Sequence, residues 1–279
     1  RVEQDHLDRH YSLEDYHQAK ANITKHQTSE DYCIYYRNNQ TSAMIGNLSV
    51  GKKLTYPIPE SDQLTELLDC LSIPGAHNRE NAEAAILAVA SFLNLSLTDL
   101  LTNHKLATAV KAGLTNFTGL PHRLQFIREL NNVRYYDDNY SSAFPATDVA
   151  LKTFENDPTI LIAGGKDRGL DLTDFKARLF NAKNLRHVIL IGENKTRLAA
   201  DEDPQKFILA DSLESAVDIA QTLAEKIVED THSNYDLCLP VTVPLRPVVL
   251  MSPGSASFDM FKNFEDRGQQ YQNLINHLK

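Results

Sequence analysis

Cysteine is scarce: Cys33, Cys70 and Cys238 are the only three in 279 residues, and they lie far apart. An odd count without a C-x-x-C pair excludes a disulfide scaffold and the usual zinc-ligand spacing, and it fits a reducing compartment. No stretch of 18 or more apolar residues occurs, which excludes a membrane-spanning helix. Positive charge is in deficit: 28 lysines and arginines face 37 aspartates and glutamates, a net charge of −9. Such a balance argues against a sequence-independent grip on nucleic acid. Signal-peptide pattern, internal repeat and low-complexity tract are all missing. What is there, 42% hydrophobic and 23% charged residues, is the composition of a soluble globular chain of roughly two domains. A cytoplasmic protein is expected. The opening Arg1-Val2-Glu3-Gln4-Asp5-His6 has no initiator methionine and is already dense in functional side chains, so it reads as a fragment that begins inside a domain.

Patterning divides the chain near Asn116–Pro121, a short segment with both Gly and Pro. Before it, Ser12 and Asp15 predict a capped helix to about Lys25. Alternation at Tyr32–Arg37, followed by Asn38-Asn39, and short apolar runs at Ala43–Ile45 and Lys53–Tyr56 predict a small β-meander. A helix follows at about 79–93, burying Ala82, Ala85, Ile86, Val89 and Phe92, then another at 97–112 closed by Gly113. After the boundary, strands at 133–136, 159–163, 188–191 and 248–251 alternate with helices at 146–154, 171–182, 213–229 and 257–278, with short elements between. That alternation predicts a parallel, doubly wound α/β sheet, whose ligands bind beyond the carboxyl ends of the strands.

Five constellations carry chemistry, each with a plainer reading beside it. Asp5-His6-Leu7-Asp8-Arg9-His10 offers oxygen and imidazole ligands for Mg²⁺ or Mn²⁺, or is a solvated helix start. Lys20 is locally an ordinary surface lysine. Asn78 and Asn81, in Gly75–Asn81, present amides suited to a purine edge, or cap the following helix. Gly164-Gly165-Lys166-Asp167-Arg168-Gly169 couples close backbone approach with two cations able to face carboxylate or phosphate. Ser252–Ser257 has hydroxyls and amides suited to an anion at a helix start, or is an N-cap.

In this order the segments resemble the Mur ligases: D-H-L-D-R-H at 5–10, A-K at 19–20, G-A-H-N-R-E-N at 75–81 and F-T-G-L-P-H-R at 117–123. D-D at 137–138, G-G-K-D-R-G at 164–169 and S-P-G-S-A-S-F-D-M-F-K-N-F-E-D-R-G at 252–268 complete the likeness. The resemblance implies the C-terminal part of a central ATP-binding domain over 1–117 and a Rossmann-like amino-acid substrate domain over 118–279. No G-x-x-x-x-G-K-[ST] is present, so the phosphate loop would lie upstream and the fragment alone would be inactive.

The implied activity is ATP- and Mg²⁺-dependent amide formation through an acyl phosphate in peptidoglycan precursor synthesis. It would join D-glutamate to a UDP-linked muramoyl substrate, in a monomer without nucleic-acid or membrane partners. His6 and a carbamylated Lys20 would hold the metal; Asn78, Asn81, Arg123 and Asp138 the nucleotide; Ser142, Arg168, Ser257 and Phe264 the amino acid. Two departures weigh on the choice of amino acid: Tyr140 stands where the family has lysine in D-S-K-A-T-N, and Arg168 where lysine is common. The family's other amide ligases, including folate polyglutamylating enzymes, and a non-catalytic binding module are the rival readings.

Overall fold

Residues 11–233 and 246–279 are described by the computed structural model, and the chain divides after Phe117 into two units, Arg1–Phe117 and Thr118–Lys279. Asp5–His10 lie outside the described residues; of the expanded loop that the sequence suggests over about 230–247, residues 230–233 instead end a helix and 234–245 lie outside the described residues.

In the first unit α1 (Leu13–Ala21) starts as expected, with the Ser12 side chain accepting from the Asp15 amide. Strand β1 (Tyr32–Tyr36) pairs with β2 (Lys52–Tyr56), but in parallel, through helix α2 (Gln40–Asn47). The meander is therefore a β-α-β crossover, and Ala43–Ile45 is helical. Two local features decide it. The Asn39 side chain caps the helix by accepting from the Ser42 amide, and Ser42, Ile45 and Gly46 fall on one buried face. The spacing of Gly46 also matters, because a Cβ there would strike the Tyr35 ring.

Helix α3 (Asp62–Leu68), unforeseen, packs its Leu64, Leu67 and Leu68 against α4 (Ala76–Phe92), α5 (Leu97–Thr102) and α6 (His104–Asn116). The buried stripe of α4 is Ala82, Glu83, Ile86, Leu87, Ala90 and Ser91, not the Ala85–Val89–Phe92 stripe; Val89 and Phe92 are exposed. A mixed stripe with Glu83 inside is possible because the Glu83 carboxylate takes the Ile58 amide. The expected helix at 97–112 is two, broken at Asn103, whose side chain caps α6. Gly113 lies inside α6 rather than ending it.

The second unit is one six-stranded sheet, ordered β3 (Gln125–Leu130), β4 (Val133–Asp137), β8 (Val248–Met251), β5 (Thr159–Gly164), β6 (Leu185–Ile191) and β7 (Phe207–Leu209). All neighbours are parallel except the unforeseen β3, which forms a hairpin with β4. Asn131 and Asn132, both at positive φ, supply the two-residue turn that such hairpins favour. Alternation along each strand fills two cores. Leu161, Ala163, Val188, Leu190, Val248 and Leu250 face α7 (Phe144–Thr153) and α8 (Thr173–Asn181). Ile160, Ile162, Ile189, Ile191, Val249 and Met251 face α10 (Leu213–Ser233) and α11 (Phe264–His277). A short α9 (Lys195–Ala199) joins β6 to β7. The last helix begins at Phe264, not near 257, because Asn263 caps it and the preceding residues form turns.

A sheet covered on both faces places the energy in its central strands. Leu250→Ala in β8, fully buried, is expected to cost about 2–5 kcal/mol, against roughly 0.5 kcal/mol or less for Leu209→Ala at the exposed edge of β7. Denaturant unfolding of the two variants checks the contrast.

Candidate functional site

Four loops leave the carboxyl ends of β4, β5, β6 and β8, the edge where doubly wound sheets bind ligands. They are tied from beneath. Asp137, at the end of β4 and without exposed surface, accepts from the backbone and side-chain amides of Asn139 (3.0 and 2.7 Å) on one oxygen. Its other oxygen meets His122 Nδ1 at 2.7 Å and the Gln272 side chain at 2.8 Å. The hydrogen bond to Asp137 raises the His122 pKa above its usual value. Asp138 is also buried; it accepts from the Leu124 amide (3.1 Å) and the Ser252 hydroxyl (2.7 Å). Burial pushes its carboxyl up to about 6 against the pull of these bonds.

The β5 loop turns sharply at Gly164 and Gly165, both at positive φ. A Cβ at Gly165 would meet the Ala256 carbonyl, so only glycine lets the β5 and β8 loops approach this closely. Asn194 joins them to the β6 loop: its Oδ1 accepts from the Gly165 amide (3.0 Å) and its Nδ2 donates to the Ser255 hydroxyl (2.9 Å). Between the loops is a cavity of about 150 Å³, the order of volume that holds a benzene ring. Ser142, Phe144, Lys166, Asp167, Arg168 and Ser255 are among the residues that line it, joining apolar surface to two cations, a carboxylate and hydroxyls. Such a set suits a small molecule with an anionic group and an apolar stem.

The expected residues fall as follows. Ser142 and Arg168 meet, with the Arg168 guanidinium donating to the Ser142 carbonyl at 3.3 Å. Ser257 is buried just beyond the cavity and does not line it; Phe264 lies edge-on to Tyr140 (5.4 Å) and His122 (6.4 Å). Arg123, exposed, holds its guanidinium 5.8 Å from the Tyr140 ring. Both cations of the glycine loop line the cavity, Lys166 with its ammonium 2.7 Å from Glu193. Ser252–Ser257 does not open a helix, so both its N-cap reading and its helix-terminus reading give way to a loop held by Asp138 and Asn194.

In the first unit, Gly75 rather than Asn78 or Asn81 caps α4; Asn78 donates to the Pro74 carbonyl (2.7 Å) and receives the Asn81 amide at 3.4 Å. Lys20 is exposed near the end of α1, its ammonium 5.2 Å from the Tyr16 ring. His6 lies outside the described residues. Among the described residues no three His, Cys, Asp or Glu side chains are grouped to hold a metal ion. No helix there is long and apolar enough to cross a membrane. The spacing Gly46-x₄-Gly51-Lys52 approaches a phosphate loop, but it is followed by Lys53 and leads from helix into strand, the reverse of the strand-to-helix turn that cradles phosphate. Sequence reasoning missed Asn194, Asn139 and Arg267, which carry the network; Asn139 and Arg267 lie within the segments that carry the resemblance, but which partners they take shows only once the loops are assembled.

Asp138 supplies a pH test. Its folded pKa is above the ordinary value of 3.8, so its contribution to stability is full below about 4 and is lost as pH rises through about 6. Asp138→Asn should remove that component, so wild type should lose stability relative to the variant as pH rises from 4 to 7. A difference independent of pH would contradict it.

Comparison with known proteins fits this geometry. Residues 1–89 match the Mur ligase middle domain. UDP-N-acetylmuramoylalanine–D-glutamate ligases from Streptococcus thermophilus and Enterococcus faecalis are 35% and 32% identical over 98% of this chain, which spans 57% of their length. In fold, the chain is similar to the UDP-N-acetylmuramoylalanyl-D-glutamyl-2,6-diaminopimelate–D-alanyl-D-alanyl ligase of Acinetobacter baumannii (TM-score 0.61, 15% identity, 94% of this chain and 55% of that one). It is also similar to E. coli FolC in complex with DHPP and ADP (TM-score 0.58, 16% identity, 99% and 60%). With the middle-domain match over residues 1–89 and the D-glutamate ligase likeness running through nearly every residue, the chain is similar to the Mur ligases.

Proposed function

We propose that this chain serves an ATP-dependent amide ligase that adds D-glutamate to UDP-N-acetylmuramoyl-L-alanine in peptidoglycan precursor synthesis, in the cytoplasm and as a monomer. The observation that carries the reading is the convergence of Arg168, Ser142 and Ser255 on one small cavity in a chain 35% identical to such ligases. Arg168 would grip the side-chain carboxylate of the incoming amino acid with two parallel N–H donors, which its fork geometry suits better than an ammonium does. Phe144 and Leu172 would pack its stem, and Ser257 and Phe264 would border its approach. Asn78 and Asn81 supply amide donors and acceptors for an adenine edge, and Arg123, with Asp138 fixing the loop behind it, a charge for the nucleotide.

The chemistry is the transfer of a phosphoryl group from ATP to the muramoyl carboxylate, attack of the amine on the acyl phosphate, and expulsion of phosphate. The protein's part is to align reactants and neutralise charge. Mg²⁺ would neutralise phosphoryl charge when bound. Of the two residues assigned to it, only Lys20 is among those described, and one side chain is not a metal site. Residues 1–279 alone, without a phosphate-loop motif, are expected to show no turnover.

Phosphate release by the intact protein, with UDP-N-acetylmuramoyl-L-alanine and a panel of amino acids, tests the proposal. D-glutamate should stimulate release. Stimulation by another amino acid alone would reassign the substrate within this ligase class, and nucleotide binding without any turnover would make the protein a binding module. Arg168→Ala should raise the KM for the amino acid by ~10-fold or more, the loss of a charge-assisted contact of about 1.5–3 kcal/mol, and leave the KM for ATP nearly unchanged. Lys20→Ala should slow turnover, with partial recovery on adding short carboxylates in place of a carbamate; an unchanged rate would remove Lys20 from the site.

A further inference from the structure

Arg267, in the first turns of α11, is the largest side chain with no exposed surface. A lone buried guanidinium is costly unless its donors are used, and here two of its three nitrogens are. Nε donates to Asn139 Oδ1 (2.6 Å), and Nη2 to the carbonyls of Ser255 (3.2 Å) and Asn139 (3.4 Å). Nη1 has no protein partner, and it stands 3.3 Å from where a Gly165 Cβ would be. One planar group therefore touches the loops after β4, β8 and β5, which carry Ser142, Ser255 and Arg168 to the cavity.

Its surroundings are acidic. Asp137 and Asp259 both act on it electrostatically, while burial lowers its pKa to about 10, so it is charged at neutral pH. Asp259 itself has one buried oxygen without a partner, its other oxygen accepting from the Glu193 amide at 2.9 Å. The bonds form a continuous chain: His122 to Asp137, Asp137 to Asn139, Asn139 to Arg267, Arg267 to Ser255, Ser255 to Asn194, and Asn194 to Gly165.

We propose that Arg267 is a positioning residue for the amino-acid cavity: its buried fork ties the β4 loop to the β8 loop directly and to the β5 loop through Ser255 and Asn194, and so sets the convergence of Ser142, Arg168 and Ser255. It touches no substrate in this scheme. The identity of the cavity's occupant rests on the function proposed above; the clamp itself rests on the hydrogen bonds alone.

A lysine at 267 keeps the charge and loses the fork, which makes Arg267→Lys in the intact protein the discriminating variant. Amide hydrogen exchange should show the Asn139, Gly165 and Lys166 amides losing protection tenfold or more, with the amides of β5 and β6 unchanged. In the ligase assay the KM for the amino acid should rise about tenfold, with the KM for ATP within twofold of wild type and kcat falling less than the KM rises. Unchanged exchange at the three loop amides, or an equal rise in both KM values, would overturn the proposal. If no amino acid supports turnover in wild type, the functional reading fails while the exchange measurement still decides the clamp. Should Arg267→Lys fail to fold, Asn139→Ala breaks the same link from its smaller side and is expected to give the same loss of protection at Gly165 and Lys166; normal protection there would count equally against it.

Discussion

The second unit depends on one buried carboxylate, Asp137, placed where a strand ends and four loops begin. It accepts four hydrogen bonds, from Asn139 twice, His122 and Gln272. Through them it holds the chain before β3, the loop after β4 and the last helix in one arrangement. In a low-dielectric interior each bond is stronger than in water, and each would be costly to leave unmade. Arg267 extends that arrangement to the β8 loop, and Asn194 carries it to β5 and β6. The loops at this edge are thus parts of one polar lattice laid over an apolar sheet.

The division of labour along the strands explains why a rigid site can sit on loops. Inside, each strand alternates aliphatic side chains between two cores, so the strand ends are fixed by burial. Polarity begins abruptly at the carboxyl ends with Asp137, Gly164, Gly192 and Ser252. Exposed ion pairs such as Lys166–Glu193 add little energy, so Lys166 stays available at the cavity it lines with Arg168. The cavity wall then carries the Arg168 guanidinium with Lys166 and Asp167 beside it, each drawn toward a partner of its own.

Much of the architecture was legible before any coordinates. Thr159–Ala163 and Val188–Ile191 read as doubly covered strands because nothing in them is polar, and the parallel sheet followed from their alternation with helices. The misreadings have local causes. Ala43–Ile45 looked like a strand because three apolar residues in a row carry no period; the Asn39 cap decided for helix. The α4 stripe was misplaced because hydrophobicity favoured Val89 and Phe92, whereas the buried face includes Glu83, satisfied by a backbone amide 25 residues away. β3 was hidden by its mixed composition, although Asn131-Asn132 before Val133 was a hairpin turn in plain sight. Of the candidate site, Ser142 and Arg168 meet at one cavity, while the Ser252–Ser257 segment took a role its local chemistry did not announce.

The amino-acid order by itself carried the resemblance to the Mur ligases, the alternation of strands and helices, and the residue types gathered at strand ends, because these rest on short-range patterns: period two, period 3.6 and motif spacing. Which of those residues converge was decided only by the fold. Asn139, Asn194 and Arg267 are separated by tens of residues, and a hydrogen bond between them costs loop-closure entropy that only a formed sheet and a docked last helix can offset. A polar side chain has no period to betray it; its partner exists only once the chain has brought two distant loops within three ångströms.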